Sequence, residues 1–136
     1  DYPTINEIEK SIIKINKAGF RVHITELDID VLPKLHDIEG ADLSDNFKSN
    51  DELNPYKTEL PDSISNLLSE RYVEIFKLFS KHSDKIDRVT FWGLSDGHSW
   101  KNDWPAKGRT NYPLLFDRDN KPKKAYHSIV NYFSEN

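Results

Sequence analysis

Gly19-Phe20-Arg21-Val22-His23-Ile24-Thr25-Glu26-Leu27-Asp28-Ile29 is the stretch from which the rest of the chain is read. Its glycine is placed to end a helix, and the β-branched residues after it predict a strand over about residues 21–29. Val22, Ile24, Leu27 and Ile29 set apolar groups on both faces of that strand. Two-sided burial is what a parallel sheet covered by helices requires. Near the strand's C-terminal end stands Glu26, a carboxylate that is costly to desolvate unless something uses or satisfies it.

Upstream, Thr4 and Glu7 form a Ser/Thr-x-x-Glu capping box. Ile5, Ile8, Ile12 and Ile15 follow at helical spacing, which predicts an amphipathic helix over 5–18 closed by Gly19. Downstream, residues 30–62 are polar, acidic and Pro-containing, and a connection of that length is usually functional. Asp62 or Ser63 is placed to cap a second helix, whose stripe is Ile64, Leu67, Leu68, Tyr72, Ile75, Phe76 and Phe79. Asp87 to Leu94 predicts a second strand. A loop rich in Trp, Asp, Asn and Gly runs from Ser95 to about Asn120, and a last helix starts near Pro122 with Ala125, Ile129 and Phe133 on one side. Alternating helices and strands signal βα units and a parallel sheet, hence an α/β fold. A complete (β/α)8 barrel takes about 250 residues. The 136 residues here supply about a quarter of its strands, as one domain.

Composition excludes several classes of function. A net charge of −4 argues against nucleic acid or an anionic membrane surface as partner, since both need clustered positive charge. Between Pro33 and Asp62, eight Asp/Glu stand against three Lys, a solvated loop by its chemistry. Without cysteine there are no disulfides and no thiolate metal sites. No run approaches the length of a membrane-spanning helix, and no charged-then-apolar leader opens the chain. Methionine is missing even at position 1, so the chain is expected to be a piece of something longer.

Glu26 has two readings on local pattern: a strand-end carboxylate paired with a Lys or Arg of a neighbouring loop, or a catalytic group at the strand end where barrels keep them. Asp28, two residues on, is expected on the same side of the strand. Trp92 is either core or a ligand platform. Trp100 and Trp104 stand on a polar loop, where aromatic surface beside Asn, Asp and Lys suits a pyranose ring. Arg109 reads as a sugar or carboxylate ligand, or as a loop salt bridge. The five His show no pair at metal-ligand spacing, and Asp96-Gly97-His98 reads as a turn before it reads as a cation site.

The spacing of Gly19, Val22, Ile24 and Thr25-Glu26-Leu27-Asp28-Ile29 resembles the nucleophile signature of glycoside hydrolase family 10, the retaining endo-β-1,4-xylanases. Thr90-Phe91-Trp92-Gly93 and the run to Trp100 resemble that family's final strand and following loop. Tyr112 to Asp117 and Lys121 to Tyr126 resemble its terminal segment. The resemblance implies the C-terminal portion, about the last two βα units, of a (β/α)8 barrel acting on xylan or xylo-oligosaccharides. Glu26 would be the nucleophile, with Asp28 behind it to orient and tune it, and Trp92 and Trp100 walling the glycone-side subsites. Neither cofactor nor metal is implied. A polymeric substrate implies a secreted, cell-surface or periplasmic protein.

The family's acid/base Glu lies in an Asn-Glu motif on an earlier strand. Asn6-Glu7 here falls inside the first helix, so that group and a His contacting the nucleophile are expected in the remaining barrel strands. The 136 residues alone are accordingly expected to be inactive, and their unpaired strand edges to drive self-association. Two alternatives stand beside the xylanase reading: a non-catalytic carbohydrate-binding fragment, and another (β/α)8 β-glycanase.

Overall fold

The computed structural model describes residues 3–33, 53–104 and 108–135. Residues 34–52, most of the acidic connection and with it His36, lie outside the described residues, as does Pro105. The elements in chain order are α1 (Ile5–Lys17), β1 (Val22–Leu27), α2 (Asp62–Lys81), β2 (Ile86–Phe91) and α3 (Lys124–Glu135). Short 3₁₀ turns at Asp96–His98 and Trp100–Asn102 shape the loop after β2.

Helix α1 forms as its capping box dictates. The Glu7 carboxylate accepts from the Thr4 amide at 2.7 Å, while the Thr4 hydroxyl accepts from the Glu7 amide at 3.2 Å. Such a cap contributes about 1 kcal/mol. Gly19, at φ +88°, takes the left-handed conformation that ends the helix. Ile12 is buried and Ile5 and Ile8 pack beside it, while Ile15 is exposed. Helix α2 starts differently from expectation. Its N-cap is Pro61, which has no capping side chain, and Asp62 is already the first helical residue. The Asp62 carboxylate therefore sits in the first turn, where negative charge favours the helix dipole.

Strands β1 and β2 pair in parallel, with α2 as the crossover between them. The core gathers Ile12 of α1, Val22 of β1, Leu68, Tyr72, Ile75, Leu78 and Phe79 of α2, and Ala125 and Ile129 of α3. Phe76 stacks on Phe91 at 6.1 Å and meets Phe133 edge-on at 6.4 Å, so the sheet and α3 share one aromatic contact on α2.

The register holds a correction. Ile24 pairs with Val89 and Leu27 with Phe91, so β1 spends three residues where β2 spends two. This is a β-bulge at Thr25-Glu26. Strict alternation would put Ile24 and Leu27 on opposite faces; the bulge puts both against the core together with Val22. β1 is therefore not apolar on both faces. Its other face carries His23, Thr25 and Glu26, all exposed.

An ionic clamp joins α1 to α2. The Glu9 carboxylate takes Lys81 Nζ and the largely buried His82 Nε2, each at 2.7 Å. The Lys81 hydrogen bond, then the His82 one, lower the Glu9 pKa from its ordinary 4.5. A depressed carboxylate gives stability that is present above its unfolded-state value and lost as pH falls through the folded-state value. Chemical denaturation of the full-length protein between pH 6 and pH 3 is expected to show a loss below about 4.5 that Glu9→Gln makes shallower. An unchanged slope in the variant would show that the clamp does not form.

Candidate active site

The site lies at the C-terminal end of the two strands. Because of the bulge, Glu26 projects off the core face and is exposed. Among the described residues it makes no side-chain hydrogen bond or ion pair, so the Lys or Arg partner of the alternative reading is not met there. The ladder continues one step past β2, where the Trp92 amide donates to the Leu27 carbonyl at 3.1 Å. Arg88, Thr90 and Trp92 follow at period two along the exposed face of β2, which brings Trp92 to the same face as Glu26. Trp92 is 47% exposed. Immediately after it the chain bends at Gly93, whose φ is +146°. An L side chain is strained at that φ, and its Cβ would also meet Leu114 Cδ1 at 2.9 Å, so the bend favours glycine.

Asp28 lies one residue beyond the end of β1, and its partners are on the loop after β2. Trp100 Nε1 donates to Asp28 Oδ2 at 2.9 Å, and Lys101 Nζ lies 3.5 Å from Asp28 Oδ1. Asp28, which the family resemblance sets behind Glu26, holds Trp100 here. Trp100 is 43% exposed and Trp104 63% exposed, so neither is a core residue.

Several groups that build the site carry no local sequence signal. Asn111 is fully buried and donates to Asp30 Oδ1 at 2.7 Å. Its amide donates to Asn102 Oδ1 at 3.0 Å, and Asn102 Nδ2 donates to the Asp96 carbonyl at 2.8 Å. Arg118 binds both Asn102 Oδ1 and the Asn111 carbonyl at 2.9 Å. This polar network fastens the loop after β2 to the segment after β1.

Asp96 is fully buried and pairs with Lys123 at 2.8 Å. Its other oxygen accepts from the Leu114 amide at 2.9 Å, and Lys123 also donates to the carbonyls of Tyr112 and Leu114. Burial pushes the Asp96 pKa up and the Lys123 pKa down, each against the pull of the partner. Asp96-Gly97-His98 is thus a turn with its carboxylate already committed, and no metal-binding cluster occurs among the described residues. Arg109 is buried too. It donates to the carbonyls of Pro33 at 2.9 Å and Leu53 at 3.2 Å, both in the acidic connection.

Residues 1–132 match the family model for glycosyl hydrolase family 10. The chain is 43% identical to endo-1,4-beta-xylanase A of Xylanibacter ruminicola over 130 residues, which is 96% of this chain and 35% of that protein. It superposes on a GH10 endoxylanase from a sugarcane soil metagenome with a TM-score of 0.85 at 49% identity, covering 96% of this chain and 35% of that one. A mutant structure in complex with xylotriose matches with a TM-score of 0.74 at 32% identity, over 96% of this chain and 35% of the other. The chain therefore spans about a third of the length of the relatives it matches. The family's fold is the (β/α)8 barrel, of which the two strands here form a partial sheet. The chain belongs to glycosyl hydrolase family 10.

Proposed function

We propose that the full-length protein is a retaining endo-1,4-β-xylanase, of which these residues form the C-terminal part of the barrel. The observation that carries the reading is Glu26: an exposed carboxylate with no internal partner among the described residues, at a strand's C-terminal end on one face with Trp92. A carboxylate left open in that way is free to meet substrate. In retaining hydrolysis one carboxylate attacks the anomeric carbon while a second, about 5 Å away, protonates the leaving oxygen. Glu26 is the nucleophile on this reading. The acid/base comes from the strands that complete the barrel, whose pairing with this chain also covers its sheet edges. Trp92 and Trp100 offer indole faces to the sugar's C–H face. A polymer too large to cross a membrane sets the enzyme's work outside the cytoplasm.

Proton NMR of the full-length enzyme acting on xylan and on cellulose tests the reading. Xylo-oligosaccharides released first as the β-anomer are expected. Release of the α-anomer, or hydrolysis of cellulose alone, would contradict it. Trp92→Ala and Trp100→Ala are each expected to weaken xylo-oligosaccharide binding by ~1–3 kcal/mol, as for aromatic anchors that a ligand covers on binding. Calorimetric titration measures this, and parental affinity in both variants would remove the tryptophans from the subsites.

A further inference from the structure

We propose that Lys101 is a positioning residue for Trp100, fixing which face of the indole is offered to the sugar. The inference rests on the platform reading of Trp100 and adds the device that sets it. Lys101 Nζ stands 4.7 Å from the centroid of the Trp100 ring, so it covers one face. The same ammonium lies 3.5 Å from Asp28 Oδ1 and 3.7 Å from Asp30 Oδ2. Asp28 in turn holds the indole edge through Nε1. Trp100, Asp28 and Lys101 thus close a three-membered ring of contacts.

The edge hydrogen bond alone would leave the indole free to tilt about Nε1. A cation on one face removes that freedom, because the ring quadrupole draws the ammonium over its centre. The Lys101 side chain is only 15% exposed. A lysine is rarely held so closely, since ordering its side chain costs entropy. Asp30 ties the ring to the interior through fully buried Asn111. With one face covered and the edge bonded, the opposite face is the one left for the sugar.

Steady-state kinetics of the full-length enzyme on xylo-oligosaccharides test the proposal with Lys101→Met, Lys101→Arg, Trp100→Ala and the Trp100→Ala/Lys101→Met double variant. Lys101→Met keeps side-chain length and removes the charge; Lys101→Gln takes its place if that variant fails to fold. KM is expected to rise roughly threefold to tenfold with kcat within about twofold, the size of one cation–π contact. Lys101→Arg is expected to restore most of the loss. In the Trp100→Ala background the Lys101 substitution should add nothing further.

A Lys101 effect that persists without Trp100 would overturn the proposal, because the lysine would then act on substrate itself. Parental KM in Lys101→Met beside an impaired Trp100→Ala would also overturn it and leave the platform standing. Parental kinetics in Trp100→Ala would instead remove the platform, and this proposal with it.

Discussion

Glu26→Ala in the full-length enzyme is expected to lose turnover by about 10⁴-fold or more, on the scale of removing other nucleophiles. The melting temperature should barely move. Among the described residues Glu26 makes no hydrogen bond or ion pair, so its removal breaks no contact within this part of the barrel. Loss of activity without loss of fold is therefore the signature sought. Activated aryl glycosides should fare little better, since they relieve the need for an acid and not for a nucleophile. Azide should rescue the variant, entering the space vacated by the carboxylate and giving the inverted glycosyl azide. Retaining hydrolysis at the parental rate by Glu26→Ala would sink the assignment.

Lys123→Met is expected to destabilise the full-length protein by ~3–5 kcal/mol, the cost of leaving a buried charge without its partner. Asp96 is fully buried, and burial already raises its pKa against the attraction of Lys123. The Lys123 pKa moves down for the same reason. Both directions say that desolvation outweighs the pairing, so the pair fixes a geometry more than it adds stability. What it fixes is the loop after β2, since Lys123 also holds the Tyr112 and Leu114 carbonyls. Combining Lys123→Met with Asp96→Asn should recover part of the loss. A drop below about 1 kcal/mol in chemical denaturation would put this pair with ordinary surface ion pairs.

Order and type of the main elements were legible from local pattern. The Thr4–Glu7 box, the glycine after α1 and the β-branched run after it each act within a few residues, where spacing reports structure directly. The bulge was legible in principle: apolar positions 22, 24 and 27 break a period of two, and a broken period is the mark of an inserted residue. Reading both faces as apolar overlooked that mark, and with it the reason Glu26 leaves the core face.

Candidate site residues divide in the same way. Glu26 and the exposed tryptophans stand out from their own neighbourhood. The partners of Asp28 do not, because Trp100 is 72 residues away in sequence and only the fold makes the two meet. Asp30 with Asn111, 81 residues apart, and Asp96 with Lys123, 27 apart, are hidden for the same reason. Arg109 is hidden in the same way, since its burial depends on the carbonyls of Pro33 and Leu53, which local pattern cannot bring near it.

The central claim is that Glu26 forms the covalent bond to the sugar. A 2-deoxy-2-fluoro xylobioside with a good leaving group slows both steps and lets a glycosyl-enzyme accumulate, because fluorine withdraws charge from the oxocarbenium-like transition state. Mass spectrometry of the proteolysed full-length enzyme then locates the label. On this account one added fluoroxylobiosyl group is found, on the peptide that contains Glu26 and on that side chain. A label on any other carboxylate, or inactivation with no added mass, would contradict it.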